Sequence, residues 1–471
     1  MAARRQTAVE AAPDKLDVEE FLRHPRPTRA QRRAEGKALR AATPLDAHAE
    51  VPDVSGRDAV EVLRAQDVDR EQSLLPLRYQ RTSADAFAFL RGSAAVMAGD
   101  LATVPRTTAL VQLCGDAHVA NFGLFASPDR RLMFDVNDFD ETLRGPFEWD
   151  VKRLAASVAV AARTIGMRDK RARRAARRAV ESYRNAMASL AEAPTLDLWY
   201  LRLDADDLTR RLVGTALERA AAKAGKKARR NTGDVAVDRM TTVSDGVRVF
   251  RADPPVLSPI ASDEIEAQIG ALYAHYLDTL PIDCALLLAR YSFRGAAHRV
   301  VGVGSVGTRC LLMLLESGDG EPLLLQLKQA GPSALESHLG ASRFGSAHGR
   351  RVVAGQRLMQ AAGDPFLGWA DAGRTLEHDY YARQLRDMKG SIDAARLDEE
   401  ALDLYGRVCG GVLARAHARA GDASLVSGYL GSSDTFDVAV AEFALAYADI
   451  TEADHAGLVS AMAEGRVPVG G

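Results

Sequence analysis

The residues best equipped for chemistry lie between Cys114 and Asp150, in the run CGDAHVANFGLFASPDRRLMFDVNDFDETLRGPFEWD. Asp116, His118 and Asn121 follow one short apolar run, 111–113. Asp135, Asn137, Asp138 and Asp140 follow a second, 132–134. Carboxylates and a carboxamide placed at strand ends and in loops suit a hard cation such as Mg²⁺ and the phosphates it carries. Asp and Asn also favour turns for local hydrogen-bonding reasons, so the inference rests on the ordered set and not on any one residue. Asp116 and Asn121 are five residues apart, and Asp138 and Asp150 twelve.

A second constellation lies at 299–330, RVVGVGSVGTRCLLMLLESGDGEPLLLQLKQA. Gly302, Gly304 and Gly307 form G-x-G-x-x-G, with Ser305 inside it. The motif alone serves dinucleotide folds, phosphate lids and structural hairpins alike. A dinucleotide fold needs a helix directly after the glycines. Here a Leu-rich run is cut by Glu-Ser-Gly-Asp-Gly-Glu, and a second apolar run ends in Lys328. Strand, glycine loop, strand, turn and strand with lysine is the order that a phosphate lid and its lysine require. TRCLLMLLE is nonetheless rich in helix formers. The only acidic residue between Lys328 and Asp364 is Glu336, so Glu336 is the candidate partner of the lysine, with Gln356 as the fallback.

These side chains need elements to position them. Asp150 is placed to N-cap the helix VKRLAASVAVAARTIGM, whose apolar positions recur at helical spacing. Residues 58–101 read as helical and carry Arg78, Arg81 and Arg91, which could bind phosphate oxygens or pair with acids. Helix is expected again at 262–292, a loop at 243–258, and strands in DPFLGWA and HDYYARQLRDMKGS. The helix LDLYGRVCGGVLARAHARAGD buries one face, with His417 a core or loop-packing residue. Basic runs at 170–178 and 223–231 read as solvated helix faces, since they lack interleaved aromatics.

The pattern G-D-x-H-x-x-N, then strand-D-F, then Asp at the start of an apolar helix, resembles the aminoglycoside phosphotransferase and choline kinase branch of the protein-kinase-like superfamily. The resemblance implies that Asp116 is the base or the carboxylate that orients the acceptor hydroxyl. It implies that Asn121 and Asp138 hold Mg²⁺, with Asp135 or Asp140 as further ligands, and that Asp150 is a buried anchor. His118 braces the loop. LARAHA resembles the helix that precedes the catalytic loop in those enzymes. Yet the glycine loop and Lys328 follow the acidic loops, and that helix lies near the C-terminus. One circular permutation, cutting the chain just before the catalytic loop, accounts for all of these displacements. QLCGDAHVANFGLFASP, FDVNDFDETLRGPFEWDVKRLAAS, GVGSVGTRC, YYARQLRDMKGS and LARAHARAGD also resemble an uncharacterised bacterial family, the domain of unknown function numbered 2252.

The expected fold is therefore α+β: a protein-kinase-like two-lobe fold in permuted order, with a large helical lobe and a small antiparallel-sheet lobe. The expected units are an arm and helix (1–57), the large lobe with the catalytic and metal loops (58–292), the small nucleotide-binding lobe (293–395) and helices completing the large lobe (396–471). The expected function is ATP- and Mg²⁺-dependent phosphoryl transfer to a small-molecule or protein hydroxyl. Nucleotidyl transfer on the same cradle and a non-enzymatic pseudokinase are the rivals.

Composition sets outer limits. With 47% apolar and 26% charged residues, the 471-residue chain falls in the ordinary globular class. A net charge of −2 gives no global pull toward nucleic acid. Cys114, Cys284, Cys310 and Cys409 have neither metal-ligand nor disulfide spacing. No apolar run approaches the roughly 18 residues of a membrane span, and the N-terminus lacks a signal-peptide core, so a cytoplasmic location is the default expectation.

Overall fold

A computed structural model describes residues 25–469, except 261, 301, 303–305, 372–376 and 386, together with the side chains of 262–268. The protein is mixed α+β. Its N-terminal part is helical: α1 (Arg29–Ala38), α2 (Ala59–Ala65), α3 (Leu75–Thr82), α4 (Ala86–Gly92) and α5 (Ala94–Ala102). Thr28 opens α1 with a capping box in which Gln31 reciprocates.

Four short strands follow. β1 (Leu110–Leu113) pairs antiparallel with β4 (Leu143–Pro146), and β2 (Phe122–Ala126) with β3 (Leu132–Val136). The register is what matters for the site. Leu113 faces Leu143 and Phe122 faces Val136. The loop 114–121 and the turn 137–142 therefore leave the two ladders side by side, and Asn137 N–H donates to the Asn121 carbonyl at 2.8 Å.

α6 (Glu148–Thr164) is buried along almost its whole length. It starts two residues before Asp150, so Asp150 lies in its first turn and is not its N-cap. The Glu148 carboxylate fixes this start by accepting from Thr107 N–H (2.5 Å) and Thr107 O–H (2.8 Å). α7 (Asp169–Leu190) carries the first basic run. Several of its solvent-exposed arginines are also paired: Arg173 with Glu442, Arg177 with Asp434 and Arg178 with Asp403. α8 (Glu218–Arg230) carries the second basic run, and α9 (Gly233–Met240) follows it.

Residues 243–258 are not the expected loop. β5 (Thr241–Ser244) and β6 (Val247–Phe250) form a hairpin whose turn residues, Asp245 and Gly246, both have positive φ (51° and 78°). Asp-Gly between β-branched residues is the strongest short-range hairpin signal, and Pro254-Pro255 nearby masked it. β7 (Leu257–Pro259) follows. The expected helix 262–292 is split into α10 (Ser262–Asp278) and α11 (Ile282–Leu288) at Pro281, which has no N–H to continue a helix. Its last residues instead begin β8 (Tyr291–Arg299), drawn out by pairing with β9 (Cys310–Ser317).

β10 (Pro322–Ala330) carries Lys328. α12 (His348–Met359) comes next, then β11 (Gly368–Ala370) and β12 (Asp379–Gln384). The sheet is six-stranded and antiparallel, in the order β11-β12-β10-β9-β8-β7. Pairing on both edges of β9 overrides the helix propensity of its leucines. The sheet unit draws on residues from Leu257 onward, upstream of 293, and α10 helps form its apolar core through Leu272 and Tyr276. The chain ends in α13 (Glu399–Ala420), α14 (Ala423–Leu430) and α15 (Thr435–Ala463). Among the described residues, no helix is long and apolar enough to cross a membrane.

α13 crosses α7 at a point where a side chain at Gly410 would overlap the Ala179 carbonyl, whereas a Cβ at Gly411 would meet only Ser182 Oγ at 3.7 Å. Gly410→Ala is expected to destabilise by about 1–3 kcal/mol through overpacking. Gly411→Ala is expected to be neutral or slightly stabilising. Urea unfolding midpoints of the two variants check this. Equal midpoints would mean that the crossing is not a close one.

Candidate active site

The loop 114–121 is held from beneath. Asp150 accepts hydrogen bonds from Cys114 N–H (2.8 Å) and Gly115 N–H (3.1 Å). His417 Nε2 lies 3.1 Å from the same carboxylate, and Tyr183 O–H lies 2.9 Å from His417 Nδ1. His417 is thus a fully buried brace, as its place in the helix suggested. Gly115 has φ of 85°, and a Cβ there would overlap the Glu141 carbonyl, so only glycine lets the loop pass the acidic turn.

Above this anchor, one oxygen of Asp116 accepts from Arg153 Nε (2.8 Å) and Nη2 (2.6 Å). Its other oxygen stands 3.5 Å from His118 Nε2. Asn121 donates through Nδ2 to the Asp116 carbonyl at 2.7 Å, which leaves its Oδ1 without a partner among the described residues. Burial depresses the His118 pKa to about 4; Asp116 opposes the shift, and Arg153 and Arg91 add to it.

The turn 137–142 meets the sheet. Lys328 Nζ lies 2.6 Å from Asp140 Oδ2, and Tyr381 O–H donates to Asp140 Oδ1 at 2.6 Å. Lys328 and Tyr381 are direct cross-strand neighbours on β10 and β12, so both side chains leave the same face. Burial alone would raise the Asp140 carboxyl, but the Lys328 ammonium and the Tyr381 hydroxyl outweigh it and hold the pKa down. Burial would likewise lower Lys328, and Asp140 holds it well above its ordinary value. Asp138 is raised, first by burial and then by the neighbouring Asp140 charge.

Several expected roles change. Glu336 is not the partner of Lys328: it accepts from Ser333 N–H and lies 3.5 Å from Arg351 Nε. It is tied to the segment after β10 and cannot turn back along the strand. Gln356 bonds Gln360 instead of the lysine. Asp135 is a core residue, ion-paired with Arg415 at 2.5 Å, and so is no metal ligand here. Both oxygens of Asp140 are engaged, which leaves Asn121 and Asp138 as the open oxygen donors. Among the described residues, no cluster of three or more His, Cys, Asp and Glu forms a ready metal cage. Mg²⁺ typically takes one or two protein carboxylates plus substrate phosphates, and the pair present fits that habit.

Two cavities meet over the acidic turn. The larger, about 1130 Å³, has Lys328, Gln326 and Arg383 of the sheet on one side and Phe125 and Ala126 of β2 on another; Leu385 and Asp387 follow β12 along its wall. The smaller, about 540 Å³, contains Asp116, His118, Asn121 and Asp140, with Arg70 and Arg91 at its edge. Asp138 and Gly302 line both. The glycine segment is tied down from the N-terminal helices: Arg81 donates to the Gly302 carbonyl (2.6 Å), Arg70 to Val306 (2.6 Å), and Glu71 N–H to Gly307 (2.8 Å). Arg78 pairs with Asp67 instead. Gly304 and Ser305 lie outside the described residues.

Residues 70–461, which include the acidic loops, the glycine segment and Lys328, match the model of a family described as uncharacterized protein conserved in bacteria (DUF2252). The chain belongs to the DUF2252 family. Neither the curated proteins nor the solved structures contain a match to it.

Sequence reasoning missed four members of this DUF2252 site: Arg153, Arg351, Tyr381 and the cations of α8. Arg153 sits three residues after Asp150, one helical turn on, and so rises toward the loop that Asp150 anchors. Arg351 donates to the carbonyls of Asp140 (2.9 Å) and Thr142 (2.7 Å), a role that no sequence pattern marks. The basic run 223–231 is the exposed face the sequence suggests, and its Lys223, Lys226, Lys227 and Arg230 also line the larger cavity, which the sequence does not show.

Asp150→Ala strands the Cys114 and Gly115 N–H groups and is expected to cost roughly 3 kcal/mol or more. Thermal melts and faster hydrogen exchange at those two amides check it; unchanged exchange would mean the carboxylate is not their partner. His118 is held neutral when folded, because its folded pKa (about 4) lies below the ordinary histidine value of 6.5. Its contribution, of order 3 kcal/mol, is fully present above about pH 6.5 and is lost as pH falls toward 4. Stability measured against pH should rise less steeply across that window in His118→Asn than in the parent; identical slopes would contradict a buried neutral imidazole.

Proposed function

We propose that the protein is an ATP- and Mg²⁺-dependent phosphotransferase of protein-kinase-like architecture in circularly permuted order. The observation that carries the reading is the meeting of Lys328 with the acidic turn at Asp140, across 188 residues of chain. Glycine segment, strand, turn, lysine-bearing strand and helix follow in the order of a kinase nucleotide lobe. Support for the permutation comes from Gly421, just after α13: a Cβ there would lie 2.7 Å from Val111 of β1. The end of the LARAHA helix thus abuts the start of the strand that leads to the catalytic loop. Joining the two would restore the ordinary order.

In this reading the nucleotide lies in the larger cavity. Lys328 neutralises its α/β oxygens, and the backbone around Gly302 and Gly307 approaches its phosphates. Asn121 and Asp138 hold Mg²⁺, which when bound would neutralise phosphate charge and orient the terminal phosphoryl group. Asp140 has a positioning role, fixing Lys328, and so takes the place of the glutamate sought in the sequence. The acceptor hydroxyl enters the smaller cavity and donates to the Asp116 oxygen that Arg153 leaves open. The terminal phosphoryl group passes to the acceptor oxygen, ADP leaves, and the hydroxyl proton goes to Asp116 or solvent. His118 braces the loop. Nucleotidyl transfer would use the same cradle with cleavage at the α-phosphate.

Mg²⁺-ATP is expected to raise the melting temperature of the parent chain and not of Lys328→Ala. Turnover of ATP in a mixed metabolite pool is expected to fall about 10²- to 10⁴-fold in Asp116→Asn and comparably in Asp138→Asn. Stabilisation without any turnover would leave a pseudokinase. Absence of both would remove the nucleotide reading.

A further inference from the structure

The chain treats its two basic helices differently. Arg173, Arg177 and Arg178 of α7 are matched by carboxylates on α13, on α15 and at the N-cap of α15. Lys223, Lys226, Lys227 and Arg230 of α8 have no ion-paired or hydrogen-bonded partner among the described residues, nor do the neighbouring Arg239 and Lys389 side chains. The four α8 positions are spaced i, i+3, i+4 and i+7, so they form one face, and like charges at that spacing repel. The opposite face, Ala221, Ala224, Gly225 and Ala228, is buried. The helix is therefore pinned with its cations toward the cavity.

That cavity is lined by ten lysines and arginines against three aspartates, Asp138, Asp364 and Asp387. A magnesium triphosphate carries only about two net negative charges, and Lys328 is already matched by Asp140. The volume, about 1130 Å³, also exceeds what one small ligand usually occupies, roughly 300–1,000 Å³. The excess of charge is felt locally: the Lys389 pKa falls to about 7, first because of Arg383 and then because of burial, although its side chain keeps solvent access at the rim.

We propose that the outer part of the larger cavity, on the cationic face of α8, binds a second ligand beside the nucleotide: a small molecule bearing several clustered phosphate groups. The ligand is small because the exposed cations line the wall of a concavity of about 1130 Å³. It is multiply phosphorylated because clustered anions are the complement of several adjacent cations. The assignment of the nucleotide to Lys328 rests on the function proposed above; the α8 site does not.

The test is calorimetric titration of the full chain, saturated with Mg²⁺ and adenylyl imidodiphosphate. Inositol hexakisphosphate is the probe in one arm and adenosine 5′-tetraphosphate in the other, so that the tighter arm distinguishes a non-nucleotide source from a nucleotide one. One probe molecule is expected to bind per nucleotide-loaded chain. The triple variant Lys226→Gln, Lys227→Gln, Arg230→Gln is expected to weaken it about tenfold or more, while nucleotide-analogue affinity changes less than about twofold and the melting temperature holds. Displacement of the nucleotide by both probes, or an equal loss of both ligands in the variant, would overturn the proposal by making α8 part of the nucleotide's own site. Tighter binding of a single-stranded oligonucleotide, lost in the same variant, would overturn it in favour of nucleic acid. If the nucleotide analogue fails to bind, the phosphotransferase reading falls, and titration of the ligand-free chain still tests α8: binding lost in the variant supports the site, and no binding overturns it.

Discussion

The cleft depends on a single ion pair, Lys328 with Asp140, closed by the Tyr381 hydroxyl. A buried ammonium is tolerable only with a carboxylate and further hydrogen bonds around it. β10 supplies the lysine, β12 the phenol, and the acidic turn the carboxylate, so the pair is satisfied only when the sheet and the turn are in register. Arg351, from the helix between β10 and β11, grips the same turn by its carbonyls. Two cations from the sheet unit thus fix one short acidic segment, and every distance in the cleft follows from that attachment.

Seen this way, the carboxylates of 116–150 divide by what neutralises them. Asp135 belongs to Arg415 in the core, Asp140 to Lys328, Asp116 in part to Arg153, and Asp150 to two backbone N–H groups and His417. Asp138 has no ion-paired side chain among the described residues, and burial and Asp140 raise its pKa. A half-buried carboxylate in that position favours the arrival of a cation. It also lies at the junction of the two cavities.

Much of this was legible in the sequence because the chemistry is local. The spacing of Asp116, Asn121, Asp138 and Asp150 survives translation into structure, since the short strands around them fix their loops. The hairpin carrying Lys328 was legible from its turn residues despite the helix-forming leucines of β9. What could not be read was long-range pairing. Glu336 was the nearest acid along the chain, but the partner of Lys328 came from the acidic turn. The α8 cations resembled those of α7, and only the positions of distant acids separated them. The hairpin at 241–250 was legible and missed, since a neighbouring Pro-Pro pair outweighed Asp245-Gly246.

The brace formed by Asp150, His417 and Tyr183 carries a temporal consequence. On the ribosome, Asp150 emerges 267 residues ahead of the imidazole that completes its surroundings. The loop 114–121 must therefore wait for its buried brace until almost the entire polypeptide has been synthesised. Domains generally fold as units, N-terminal parts first; here vectorial synthesis delivers the last support of the loop at the end. A nascent fragment that stops short of α13 holds the acidic loops without their underpinning, so their buried support arrives in a single late step.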